Sequence, residues 1–168
     1  YYPPVVLAGE DMGLRVPASV AGIGVLAQSD AASGAPWFAP AGFNRGGISQ
    51  LGGNQGPRVQ RPNENLNKAD RDDLYQVNIN PIANFPGEGP VVFGQKTLQQ
   101  TPSALDRINV RRLMVYLKKR VGEVARTVLF DQNVNATWNR FKAGANPILA
   151  DAKSRFGVSE YKLILDET

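Results

Sequence analysis

The placement of glycine and proline sets the first limit on this fold. Seventeen glycines and twelve prolines stand among 168 residues. They are dense between residues 33 and 66, where Gly46-Gly47, Gly52-Gly53, Gly56-Pro57 and Arg61-Pro62 follow one another. Regular helix does not run through such a stretch, because glycine loses the most backbone entropy on ordering and proline lacks an N–H. Residues 33–66 therefore read as a long Gly/Pro-rich loop, too long for an ordinary connection. Such a loop is either a functional surface loop or a mobile arm. Regular structure is expected on either side of it.

Before the loop, Val5-Val6-Leu7-Ala8 reads as a short strand or extended arm. Pro17 suits a first helical position, and Ala18 to Asp30 is apolar on nearly all sides, the pattern of a fully buried helix. Gly22 and Gly24 weaken that helix, so close packing at them is the expected compensation. After the loop, Asn67 caps a helix from Lys68 to about Val77. Ile79 to Ile82 and Val91 to Phe93 flank a Pro86–Pro90 turn and predict a hairpin, with Pro81 at an edge. Val110, Leu113, Met114, Leu117, Val121, Val124 and Val128 recur at helical spacing over 108–130. Trp138, Phe141, Ala145, Ile148, Leu149, Ala152 and Phe156 repeat the signal over 135–156. Pro147 interrupts that second run, which predicts a kink or two abutting helices capped by Asn146. Gly157 reads as the helix stop and Tyr161 to Leu165 as a strand. The sum is an α/β chain, a mixed sheet of about three to five strands flanked by about four helices, in a single domain over 1–168.

Composition removes several chemistries. The chain has no cysteine and no histidine, which excludes disulfides, thiolate and imidazole metal sites, a cysteine nucleophile and a Ser-His-Asp triad. No apolar run reaches the ~20 residues of a membrane span. Tyr1-Tyr2-Pro3-Pro4 is unlike a signal peptide, and with no initiator Met the sequence reads as a fragment of a longer chain. Gly22-Ile23-Gly24-Val25-Leu26-Ala27 matches a dinucleotide fingerprint, yet Pro17 stands where the preceding strand should end and no acid follows at the required distance. Asp70, Asp72 and Asp73 lack the glycine-centred pattern of a calcium loop and suit a helix N-terminus and surface pairs instead. Trp37 and Trp138 read as core anchors. Asn135-Ala136-Thr137 reads as a helix N-cap region. No cofactor, metal or catalytic residue is assigned, and the chain is read as not an enzyme.

Charge is local. Arg111, Arg112, Lys118, Lys119, Arg120 and Arg126 lie within 18 residues against Glu123 alone, in a chain of net charge +4. This basic face is the strongest functional signal in the pattern. Three readings stay open for it: a solvated outer helix face, contact with an acidic protein surface, and salt-dependent nucleic-acid binding, for which Tyr116 is the single nearby aromatic.

Five strings, in order and with comparable spacing, resemble the C-terminal core region of the contractile tail sheath proteins of long-tailed bacteriophages. They are Trp37 to Gly46 (which holds Ala41-Gly42-Phe43-Asn44-Arg45-Gly46), Leu74-Tyr75 with Ile79-Asn80-Pro81-Ile82, Gly89 to Leu98, Leu105 to Leu113, and Tyr161 to Thr168. Pro17 to Asp30 resembles the family helix that precedes the Trp37 block. The family's flanking arms and outer domains are absent from this sequence.

The resemblance implies a structural subunit that assembles helically, from rings, around a tail tube and contracts to drive the tube through the host envelope. It implies other sheath subunits, the tail tube protein, and baseplate and tail terminator proteins as partners. It implies no small-molecule substrate, no specific nucleic acid and no membrane insertion. The expected location is the virion tail, and the host cytoplasm during assembly. A phage-derived injection system or bacteriocin is the alternative machine, and a basic-helix nucleic-acid-binding domain the alternative of another class. Under the resemblance, Arg111, Arg112, Lys118, Lys119 and Arg120 become candidate tube or subunit contacts, with internal pairing of Arg111 and Arg112 to carboxylates such as Asp106 as the competing role. Asn44, Arg45 and Gly46 form a family-motif loop, read as structural in preference to an inter-subunit contact.

Overall fold

The computed structural model describes residues 1–8, 13–49 and 58–165. By internal packing the chain divides into two compact units, Tyr1–Arg111 and Arg112–Thr168. The class is α/β, with five α-helices and five strands among the described residues.

In the first unit, β1 (Val5–Ala8) lies between β2 (Arg15–Val16) and β3 (Arg58–Pro62), antiparallel to both. The β1–β3 ladder pairs Val6 with Arg61 and then Leu7 with Val59. Gln60 is thus the extra residue of a bulge, which bends the strand. β4 (Ile82–Phe85) and β5 (Gly89–Val92) form a hairpin about the expected turn, with Gly87 at φ +84, but the first strand starts at Ile82, where the stretch read as strand ends, because Pro81 has no N–H to give the ladder. The strands therefore come as two antiparallel sheets. The N-terminal segment stitches them together: Tyr2 N–H donates to Asn80 O and Ile82 N–H donates to Tyr2 O. Pro81, which precedes β4, lies opposite Tyr2 in that bridge.

Helix α1 (Ala18–Ser33) buries Ala18, Ala21, Gly22, Val25 and Ser29, one stripe of helical spacing. Pro17 is its N-cap, one place earlier than the sequence implies. Val5, Ala18, Ala21, Val25, Ile48, Val59, Ile82 and Val92 make the core, with Tyr1, Leu7 and Val16 against it. A Cβ at Gly22 would sit 2.7 Å from the Tyr1 ring, the close packing expected of that glycine. The helix is nevertheless not fully buried, since Val20 is 46% and Ile23 68% exposed. Apolar composition on every side does not dictate burial on every side.

The 33–66 region is more ordered than its composition implies. It holds α2 (Gly42–Arg45), the fully buried Ile48, and β3. Residues 50–57 lie outside the described residues, so the glycine-rich loop reading there stands untouched. Helix α3 (Lys68–Gln76) begins as expected with a reciprocal box: Asn67 Oδ1 accepts from Asp70 N–H and Asp70 Oδ2 accepts from Asn67 N–H.

Helix α4 (Ile108–Arg126) opens in the first unit and continues into the second, where α5 (Asn135–Ser154) follows a short connection. Val134 takes the cap position of α5, so Asn135 is the first helical residue rather than the cap. A Cβ at Gly144 would stand 2.7 Å from Val124 Cγ1, so that glycine lets α5 approach α4. Asp131 pairs with Arg140 at 2.9 Å, and Trp138 Nε1–H donates to Asn133 Oδ1. Helix α5 is continuous through Pro147, so the two-helix form is not adopted. Ala143, whose carbonyl loses its donor, is exposed and open to water. The stop after α5 is made by Phe156, at φ +61, and not by Gly157. Gly157 N–H closes the motif onto Ala152 O. Phe156 is consequently 91% exposed instead of continuing the buried stripe, and Met114 of α4 is exposed too. Tyr161 to Leu165 forms no strand pairing among the described residues.

Candidate contact surface

The N-terminus of α4 is fixed by the chain segment before it. Lys96 and Arg107 form a bridge, Ile108 N–H donates to Gln95 O, and Asn109 N–H donates to Gln95 Oε1. These bonds occupy orphan donors of the first turn. The cations of α4 fall into distinct environments.

Arg111 is exposed but tethered: its Nε donates to Leu105 O and its Nη2 to Gln99 Oε1. The carboxylate of Asp106 goes instead to Arg107, at 3.5 Å. Arg112 is half-buried. Arg120 pairs with Glu123 at 3.0 Å, one helical turn on. Lys118 and Lys119 are exposed and make no ion pair or hydrogen bond among the described residues. With Val115, Gly122, Glu123 and Arg126 they line a groove of about 420 Å³. Positions 115, 118, 119, 122 and 126 recur at helical spacing and share one face. Gly122 leaves its floor open, with nothing within 4 Å of where a Cβ would stand.

The Asn44-Arg45-Gly46 turn closes α2. Arg45 Nε donates to Ala39 O, and its guanidinium lies 5.2 Å from the Phe38 ring, which stacks beside buried Trp37. Gly46 is buried against β5, and Val92 N–H donates to Gly46 O. Asn44 is exposed. Trp138 is half-buried. Gly22, Gly24 and Ala27 all lie inside α1, a turn or more past the β2–α1 junction, and not in the strand-to-helix turn where a dinucleotide site needs its glycines.

Two features escape a reading based on pattern. Tyr75 is held between cations: Lys96 Nζ lies 4.0 Å from its ring centre and donates to Tyr75 O, while Arg107 Nη1 donates to the hydroxyl. Phe43, Phe85 and Phe93 cluster at 5.0–5.6 Å, with Arg71 over two of them. Both join residues distant in sequence and leave no local periodicity. A third feature was visible in the spacing. Ala69, Asp72, Asp73, Gln76 and Val77 recur as one stripe on and just past α3, and all are exposed. Asp70 serves the helix start, whereas Asp72 and Asp73 make no ion pair among the described residues.

Comparison with known proteins bears on what such a surface serves. Over 145 residues, 86% of its length, the chain is 41% identical to the tail sheath protein of Vibrio phage KVP40. Over 158 residues, 94% of its length, it is 35% identical to the tail sheath protein of Enterobacteria phage T4. It spans 20% and 23% of those two proteins. No family model matches it. The fold superposes on a chain of the anti-feeding prophage baseplate with a TM-score of 0.75, at 23% identity, covering 95% of this chain and 40% of that one. A chain of the contracted PVC sheath complex of an extracellular contractile injection system gives 0.75 at 24% identity, over 95% and 42%. At such identities the solved structures speak for the fold, while the phage sequences speak for descent. This chain belongs to the tail sheath protein family of contractile-tailed phages.

Proposed function

We propose that the chain is the core of a contractile tail sheath subunit, which assembles helically around the tail tube and shortens to drive the tube through the host envelope. The observation that carries this reading is 41% and 35% identity to phage tail sheath proteins through 86% and 94% of the chain. That identity supports a phage tail over a phage-derived injection system. The role is structural rather than enzymatic. Its partners are further sheath subunits, the tail tube, and the baseplate and tail terminator proteins. It acts in the virion tail after assembly in the host cytoplasm. Residues 1–168 serve as one sheath-core domain from the C-terminal part of the subunit, which limited proteolysis of the parent polypeptide checks.

Arg111, Arg112, Lys118, Lys119 and Arg120 are contact residues of that assembly toward an acidic surface of the tube or of a neighbouring subunit. The exposure of Lys118 and Lys119 supports this role most directly, because they make no ion pair among the described residues. Asn44, Arg45 and Gly46 have a structural role, supported by the inward bonds of Arg45 and Gly46. The test is negative-stain electron microscopy of the full-length parent polypeptide, alone and with its tube. Striated tubes are expected. Soluble monomers in both samples would refute the sheath role.

A further inference from the structure

We propose that the exposed stripe of α3 in one copy of the chain docks antiparallel along the α4 groove of a second copy. The inference rests on the sheath reading and names one subunit contact within it.

Charge complementarity selects the occupant. Residues 1–111 carry nine basic and nine acidic residues, whereas residues 112–168 carry ten basic and six acidic. The whole excess of positive charge therefore lies in the second unit, and the α4 groove presents Lys118, Lys119 and Arg126 with Glu123 as its single acid. The α3 stripe presents Asp72 and Asp73. All four of these lysines and aspartates are exposed and make no ion pair among the described residues.

Register strengthens the match. Run antiparallel, Val77 meets Val115, which is itself exposed. Asp72 and Asp73 then meet Lys118 and Lys119, and the small Ala69 meets Gly122. The spacings from the valines, four or five and then eight residues on α3, and three or four and then seven on α4, agree to within one residue. At 1.5 Å per residue that mismatch is small against the reach of a lysine. Gly122 admits the close approach that Ala69 offers, since nothing occupies its Cβ position.

The contact joins two different surfaces, so it is head-to-tail: it builds a ring where its rotation closes and a helical filament where it does not. A nine-residue helix on one groove is far below the roughly 1,000 Å² of a standalone interface. It therefore acts as one repeated lattice contact, not as a dimer interface.

The test uses the full-length parent polypeptide without tube and measures polymerisation by sedimentation and electron microscopy. One variant carries Lys118→Glu and Lys119→Glu, another Asp72→Lys and Asp73→Lys. Each is expected to raise the concentration needed for polymerisation about tenfold, as two weak pairs become two repulsions. A one-to-one mixture of the two defective variants is expected to copolymerise, because each then offers the complement the other lacks. Recovery in the mixture also shows that both variants fold. Unchanged polymerisation of either variant, or defects that the mixture does not repair, would overturn the docking. Failure of the unaltered polypeptide to polymerise, both here and when its tube is added, would overturn the sheath reading and this contact with it.

Discussion

Gly46 and Gly47 are neighbours with opposite expected responses to alanine. Gly46 has φ −95 and ψ −1, a conformation alanine adopts freely, so only space decides its fate. A Cβ there would stand 2.5 Å from Val92 O, 2.6 Å from Gly42 N and 2.7 Å from Gly42 O. All three are backbone atoms, and none retreats by turning a side chain. Val92 is fully buried in the core, so the strain falls on α2, which has to lift from β5. Two bonds go with it: Gly46 N–H to Gly42 O and Val92 N–H to Gly46 O. At about 0.5–1.5 kcal/mol per bond and about 1–3 kcal/mol for overpacking, Gly46→Ala costs about 2–6 kcal/mol. Gly47 has nothing within 4 Å of its Cβ position and no positive φ. Gly47→Ala is then neutral or gains about 0.4–1 kcal/mol through the unfolded chain. Urea titration followed by Trp37 fluorescence, with Trp138 replaced by Phe, reads the first unit. Trp37 stacks on Phe38, which Arg45 of α2 covers, so the probe sits beside the damage. The midpoint should fall by on the order of 1–2 M for Gly46→Ala and hold for Gly47→Ala. Equal midpoints for the two variants would refute the steric argument.

Gly144→Ala should be less stable than Gly122→Ala by about 1–3 kcal/mol in thermal unfolding: both gain helix propensity, but only the first drives a Cβ against Val124. Asn80→Ala should cost about 2–4 kcal/mol, because the buried amide both donates to Lys96 O and accepts from Lys96 N–H, and alanine leaves both groups unsatisfied. The Tyr2 phenol donates to Glu64, which raises its pKa above 10.0, burial and the nearby negative charge adding to the effect. That contribution to stability is present below the unfolded pKa and is lost as pH rises through the folded one; ultraviolet titration should show one tyrosine moved down by Glu64→Gln.

Local signals were legible and long-range ones were not. The Asn67 cap, the hairpin turn and the start of α4 are written within a few residues and appear where spacing puts them, while α4 ends at Arg126, short of the periodic Val128. Arg58–Pro62 is a strand only because β1 lies beside it; its own residues, Arg-Val-Gln-Arg-Pro, carry no strand pattern. The reverse holds for Tyr161 to Leu165, whose apolar alternation suits a strand but finds no partner among the described residues. The Pro147 ambiguity turned on whether the Ala143 carbonyl needs a protein donor, which depends on its exposure. Among the basic residues, sequence located the α4 face but not its division. Arg111 is tethered by Leu105 and Gln99, and Arg120 is engaged by Glu123, while Lys118 and Lys119 keep their charge outward.

That division bears on how a sheath could hold two states. A cation already bonded inside the chain keeps its partner whatever the neighbours do, whereas a free one exchanges partners as subunits rotate. Exposed pairs contribute about 0–1 kcal/mol each and fade beyond roughly 8 Å at physiological salt. One Asp73–Lys118 pair is far too weak to hold a lattice by itself. What such a stripe does well is set register, since a one-turn slip on α4 would carry Asp72 and Asp73 from Lys118 and Lys119 to Gly122 and Glu123. Such a slip forfeits two attractions and adds a repulsion at Glu123, so the registers differ by more than the pairs themselves contribute, which favours correct assembly without a contact too strong to release.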